Sequence, residues 1–310
     1  MINVYESVDL NKRKSAVVVV FFVLFIAIAT YVLSIALGYL MGIEPGGLGM
    51  VGVALIISGL MSFGGYYWSD KIVLGISGAK PVGKNDYKLY HSVVQNLCLA
   101  SQLPEPKLYV IEDTATNAFA TGRDPQHAAL CATTGILEKL TRTELEGVIG
   151  HELTHVKNFD IRLMSLVSVM VGSVALLADM FFRMSYFGNR SRDRDDRGQV
   201  GALLMILGIV FAVLSPLIAQ LIQLAISRRR EFFADAGSVA LTRQPGGLIS
   251  ALQKIAGDHE ALEAANKATA HLYIVNPFKD KAKGAIGLFA GLFNTHPPIA
   301  ERIKALQAMA

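Results

Sequence analysis

The chain is decided by residues 141–156, Thr141-Arg142-Thr143-Glu144-Leu145-Glu146-Gly147-Val148-Ile149-Gly150-His151-Glu152-Leu153-Thr154-His155-Val156. Thr141 followed three residues later by Glu144 is a capping-box signature for a helix start. Leu145, Val148, Ile149, Leu153 and Val156 then recur at helical spacing. The pattern predicts a helix that carries His-Glu-x-x-His in its middle. Two histidines four apart differ by about 40° around a helix, so both imidazoles reach one metal while Glu152 stands beside the vacant coordination position. Zinc held by neutral imidazoles lowers the pKa of a bound water towards about 7 and polarises a carbonyl oxygen. His151 and His155 are therefore candidate ligands and Glu152 a candidate general base. The bland alternative, two solvated histidines around a surface glutamate, fits a mid-helix position among apolar neighbours poorly.

A catalytic zinc takes three protein ligands and keeps one position open. The best third donor in the chain is Glu231, in Arg229-Arg230-Glu231-Phe232-Phe233-Ala234-Asp235. Glu231 and Asp235 project from one helical face, so one can bind metal while the other accepts a hydrogen bond from a ligand histidine. A structural zinc would instead want a fourth Cys or His, and neither Cys98 nor Cys131 has suitable spacing.

Some eighty residues separate the two half-sites, and apolar sequence fills the gap. Long apolar stretches run over 16–40, 46–68, 163–182 and 200–226, and mean hydropathy is +0.42. Each approaches or exceeds the ~20 residues that cross a hydrocarbon core, which points to an integral membrane protein. The first stretch follows Lys12-Arg13-Lys14, is long and has no convincing cleavage site, and reads as a retained anchor. Basic residues before it and at Lys71, Lys80, Lys84 and Lys88, against Glu44 alone between the first two stretches, place the N-terminus and the hydrophilic domain in the cytoplasm. One metal cannot be shared across a bilayer, so 163–226 crosses twice or not at all. A spanning hairpin is expected from its length, although it sends out a connection with Arg183, Arg190, Arg192, Arg194 and Arg197 against the positive-inside trend. Asp179 is an interfacial charge in this reading, and Asn189-Arg190-Ser191 a coincidental sequon.

The joint pattern resembles the HtpX family of membrane zinc metalloproteases. It comprises HELTH, Glu231-x-x-x-Asp235, four apolar stretches set two before and two between the half-sites, and Asn117-Ala118-Phe119-Ala120-Thr121-Gly122. The resemblance implies a gluzincin-type endopeptidase that degrades misfolded or damaged membrane proteins at the cytoplasmic face of a bacterial inner membrane. It implies His151, His155 and Glu231 as zinc ligands, Glu152 as base and Asp235 as the partner of a ligand histidine. It also implies that Asn117 to Thr121 is an edge strand lining the cleft, with Asn117, Ala118 and Phe119 as substrate-binding residues where an extended substrate pairs with the backbone. Without the resemblance they read as an ordinary strand. Near the C-terminus His296-Pro297-Pro298-Ile299-Ala300-Glu301-Arg302 is similar to an HPxxxxR segment of related prenyl-protein proteases. There the histidine faces the oxyanion and the arginine supports the site.

The remaining residues carry plainer readings. His91, His127, His259 and His271 lack ligand spacing, and the two cysteines read as reduced and structural. A net charge of +4, with Arg228-Arg229-Arg230 directly after an apolar stretch, suits anionic lipid better than nucleic acid, and no phosphate-binding Gly-rich loop is present. The expected fold is α+β, mainly helical, with four hydrophobic membrane segments and a cytoplasmic gluzincin-like domain containing a small sheet. Expected divisions are a membrane hairpin over 1–70, a first protease part over 71–162, a second hairpin over 163–226 and a second protease part over 227–310. A helix is expected over 87–101, with strands over 107–112 and 128–133. The competing classes are a catalytically silent membrane zinc sensor or scaffold, a transporter, and a prenyl-protein protease relative.

Overall fold

The computed structural model describes residues 13–21, 23–28, 31, 48–170, 172–173, 228–258, 260, 272 and 297–309. Among them run helices α1 (Leu48–Tyr67), α2 (Ser69–Ile76), α3 (Lys88–Ser101), α4 (Thr134–Lys139), α5 (Arg142–Lys157), α6 (Arg228–Thr242), α7 (Pro245–Gly257) and α8 (Ile299–Gln307). The strands are β1 (Lys80–Pro81), β2 (Lys107–Ile111), β3 (Ala118–Gly122) and β4 (Ala128–Thr133). Residues 13–21, 23–28 and 160–170 are helical as well. The domain is α+β and mostly helical. The strands form one mixed sheet in the order β1-β2-β4-β3, with β2 and β4 parallel and the other pairs antiparallel. The expected helix over 87–101 and strands over 107–112 and 128–133 appear within one residue of those bounds, and the short β1 was not foreseen.

α5 is the centre of the domain. Leu145, Val148, Ile149, Leu153 and Val156 join Val93, Val94 and Leu97 of α3, Leu130 of β4 and Leu248, Leu252 and Ile255 of α7 in one core. Burial is not confined to that stripe, because Gly147, Gly150, His151, Glu152, Thr154 and His155 are buried too. Small residues let the neighbouring helices close in. A Cβ on Gly147 would stand 2.8 Å from the Leu248 backbone, and one on Gly150 2.9 Å from Ser238 Oγ. The Ser238 hydroxyl in turn donates to the Gly147 carbonyl at 2.6 Å. The start of the helix is tied down as its sequence suggests, with the Glu144 carboxylate accepting from the Thr141 backbone N–H at 2.7 Å and hydroxyl at 3.0 Å.

The N-terminal helices are built the other way round. Val17, Val20, Leu24 and Ile28 are exposed at helical spacing, as are Ile56, Leu60, Phe63 and Tyr67 of α1, while Ser15, Ser58 and Ser62 are buried. Large apolar groups outside and small polar groups inside invert the arrangement of a water-soluble helix. Counting only residues with described side chains, no helix is long and apolar enough to cross a membrane. The full backbone of α1 nonetheless runs twenty residues without a charged side chain. The helical run 160–170 is buried except at half-exposed Arg162, and packs Leu163, Leu166, Val167 and Met170 against Val18, Phe25 and Ile26. Asp179, Asn189, the Arg/Asp run and the stretch 200–226 lie outside the described residues.

Candidate metal centre and active site

Two elements bring three donors together. α5 carries His151 and His155 one turn apart, and α6, packed along it, carries Glu231. One ligand atom from each lies within 4.8 Å of the others, and all three residues are buried. The two imidazole Nε2 atoms are 3.2 Å apart, and each lies 3.6 Å from an oxygen of Glu231. Donors at the corners of a tetrahedron about 2.0–2.1 Å from a zinc ion are roughly 3.3 Å from one another. The triangle therefore has the size that such an ion requires.

Each histidine is held from behind. His151 Nδ1 donates to Asp235 Oδ1 at 2.9 Å, and Arg302 grips Asp235 with Nε at 2.9 Å and Nη2 at 2.6 Å. His155 Nδ1 donates to Asp160 Oδ2 at 3.0 Å, and Arg230 Nη1 donates to Asp160 Oδ1 at 3.0 Å. With Nδ1 protonated, the Nε2 lone pair of each ring is left for a metal. Burial by itself would raise the Asp235 carboxyl, but the hydrogen bonds from His151 and Arg302 outweigh it and hold it below the ordinary range. Arg230 pairs with Asp160 and Arg302 with Asp235 and Glu231, which brings several buried carboxylates to one place, a setting that suits a divalent cation.

Glu152 is buried between α5 and the sheet, and its Oε2 accepts the backbone N–H of Ala120 at 2.9 Å. Burial raises its carboxyl, the Glu231 charge adds to this, and His151 and His155 oppose it. Among the described residues β3 is an edge strand. Its register with β4, and the bond from Thr133 N–H to the Asn117 carbonyl at 2.9 Å, turn the backbones of 117, 119 and 121 towards β4 and those of Ala118, Ala120 and Gly122 away. The outward N–H groups bond to Asn117 Oδ1, Glu152 and the Ser165 hydroxyl in turn. Of the three residues anticipated along this strand, only Ala118 presents its backbone outward. Ala120, inside the expected strand but not among those three, presents its backbone outward as well.

Arg302 lies against Asp235 and 3.6 Å from Glu231, whereas His296 is outside the described residues. Asp160 and Arg230 were missed by sequence reasoning, since nothing in the motif announces a pair seventy residues apart. His91 bonds to the Gly83 carbonyl and His127 to Asp124, away from the cluster. Cys98 and Cys131 are free buried thiols, and burial pushes the Cys98 thiol up to about 11.

The chain is similar to known proteins of one family. The profile of Peptidase family M48 matches residues 85–310. The chain is 40% identical over 307 residues to a protease HtpX homolog of Dictyoglomus turgidum, covering 98% of this chain and 94% of that one. It is also 40% identical over 308 residues to a protease HtpX homolog of Streptococcus gordonii, covering 98% and 99%. Among solved structures, S. mikatae Ste24p aligns over 83% of this chain and 64% of its own with a TM-score of 0.40 and 16% identity, too distant to bear on the fold. With a profile match over most of its length and relatives at this identity from end to end, the chain belongs to peptidase family M48 and is a metallopeptidase of the HtpX type.

Proposed function

We propose that the chain is a membrane-embedded zinc endopeptidase with His151, His155 and Glu231 as ligands and Glu152 as general base. The observation that carries this is the buried triangle of three donors with the Glu152 carboxyl fixed beside it. Bound zinc would acidify a water and polarise the scissile carbonyl. Glu152 takes the proton of the attacking water and passes it to the leaving amine. Its burial lifts the carboxyl towards the range where it can both accept and release a proton. Asp235 and Arg302 keep the His151 ring in its ligating orientation. His296 is kept as a donor to the oxyanion on the strength of the sequence resemblance alone.

The outward backbone of β3 supports an extended substrate pairing at this edge, with the Ala118 and Ala120 carbonyls as acceptors. Such pairing reads the main chain rather than side chains, which suits a protease that takes unfolded segments. The exposed apolar faces at Val17 to Ile28 and Ile56 to Tyr67 support lipid contact by the first two apolar stretches. With Lys12, Arg13 and Lys14 ahead of them, the protease domain is cytoplasmic, at the inner membrane of a bacterium. Residues 1–70 form one hairpin and 163–226 a second that crosses twice, with the protease domain divided between 71–162 and 227–310. A cleft held at the bilayer meets damaged or misfolded membrane proteins by proximity.

The test compares the wild type with Glu152→Gln, each zinc-loaded in detergent, on an unfolded casein-like substrate. Equal zinc content with cleavage reduced about 10²- to 10⁴-fold in the variant is expected. Zinc in both proteins and cleavage by neither would favour a sensor or scaffold instead.

A further inference from the structure

We propose that Asp160 and Arg230 are positioning residues for the second ligand histidine, His155, equivalent in role to Asp235 and Arg302 behind His151. The proposal rests on the metal reading of the site given above. Asp160 is buried, its Oδ2 accepts from His155 Nδ1 at 3.0 Å, and its Oδ1 accepts from Arg230 Nη1 at 3.0 Å. This repeats the sequence imidazole, carboxylate, guanidinium found at His151. Both relays draw on α6, through Asp235 and Arg230, take their third residue from α8 and from the run 160–170, and meet at Nε2 atoms 3.2 Å apart.

The local backbone is bent to achieve this. α5 ends at Lys157, and Asn158 and Phe159 form a turn in which Phe159 adopts φ 59, a left-handed conformation costly for a bulky side chain. The turn returns the chain so that Asp160, first in the helical run 160–170, meets the Nδ1 edge of the His155 ring. Arg162 stacks over the Phe159 ring at 5.1 Å and donates to the Arg123 carbonyl, which holds the turn from the outside. On the other side Arg230 is the residue next to ligand Glu231, so a single turn of α6 delivers both a ligand and the cation that fixes Asp160. The Asp160–Arg230 pair also joins the chain where it enters and leaves residues 161–229. An ion pair placed only to close that segment would have no need to direct its second carboxylate oxygen at a ligand imidazole.

A positioning role appears in metal affinity, which a merely structural pair would not move. Full-length protein in detergent, carrying Glu152→Gln to prevent cleavage, is titrated with zinc against a chromophoric chelator and with cobalt(II) by visible absorption. Thermal midpoints are read in excess chelator. Asp160→Ala is expected to weaken zinc about 10- to 100-fold and to alter the cobalt band. Asp160→Asn, which keeps an acceptor for Nδ1–H, should lose less, and Arg230→Gln should fall between Asp160→Asn and the parent. The control is Arg142→Gln, which removes the solvent-facing Arg142–Glu146 pair and should leave affinity unchanged. Parent-like affinity and cobalt spectrum in Asp160→Ala and Asp160→Asn, with only the chelated midpoint lowered, would overturn the proposal. A parent that binds neither metal would instead overturn the metal reading itself.

Discussion

Arg302 is the bulkiest fully buried side chain among the described residues, and it lies where a charge is hardest to tolerate. It is tolerated because Asp235 takes two of its donors and Glu231 lies 3.6 Å from a third nitrogen. Removing one member of a buried pair strands the other. Arg302→Leu is therefore expected to cost about 3–5 kcal/mol in urea unfolding of the chelated protein. Arg302→Lys should recover part of the loss but not the two-point grip on Asp235. A loss below about 1 kcal/mol for Arg302→Leu would show that Asp235 is content without it. The sequence pointed to Arg302 only through a resemblance at the C-terminus. Its fit against Asp235 depends on α8 meeting α6 across the core, a contact with no local signature.

At the scale of elements, α5 shows how far patterning reaches. The capping box and apolar spacing locate the helix and its face, because both are local consequences of a 3.6-residue repeat. That the opposite face is also buried is written only in Gly147 and Gly150, small residues whose meaning depends on what approaches them. Gly147→Ala would push a methyl against the Leu248 backbone, so α5 and α7 must separate despite the better helix propensity of alanine. A loss of about 1–3 kcal/mol is expected by denaturant unfolding, whereas exposed Gly257→Ala, which meets nothing within 4 Å, should be near neutral. The same two helices are tied by Glu144, which accepts from Lys254 at 2.7 Å and from Ser250 at 2.6 Å. Burial opposes ionisation of Glu144, yet these bonds and those from Thr141 hold its carboxyl at about 2. Asp258, just past α7, is held at about 2 against its own burial by Lys139 and Thr116. Both carboxyls titrate below the unfolded value of about 4. Their contribution is therefore complete above that value and drains away as the pH falls through about 4 towards 2. Thermal midpoints should fall across that window, and Glu144→Gln should start lower at neutral pH and show a shallower acid limb. An acid limb as steep in the variant as in the parent would rule Glu144 out as its source.

The whole molecule combines two opposite burial rules in one chain. In the protease domain Val93, Leu97, Leu153 and Leu252 point inward, while Val17, Val20 and Leu24 of the N-terminal helix and Ile56, Leu60 and Phe63 of α1 point outward with Ser15, Ser58 and Ser62 buried. Hydropathy alone located the apolar stretches, since length and the absence of charge are visible in one dimension. It could not distinguish a buried helix from a lipid-facing one. The run 160–170 illustrates this, since its apolar residues from Leu163 to Met170 pack against Val18, Phe25 and Ile26 while Ile56, Leu60 and Phe63 of α1 are exposed. Exposure gives the discriminating test, because Leu60 on α1 and Leu99 on α3 are comparably open, at 68% and 75%. If Leu60 meets lipid, Leu60→Arg places a charge within the hydrocarbon at a cost of about 2.5–3.5 kcal/mol, and carbonate should extract more of the variant from membranes. Leu99→Arg, on a helix of the hydrophilic domain, should leave extraction unchanged and cost little stability. Equal behaviour of the two variants would mean that the outward face of α1 is covered by protein rather than lipid. Placement of the cleft at the bilayer would then need another explanation.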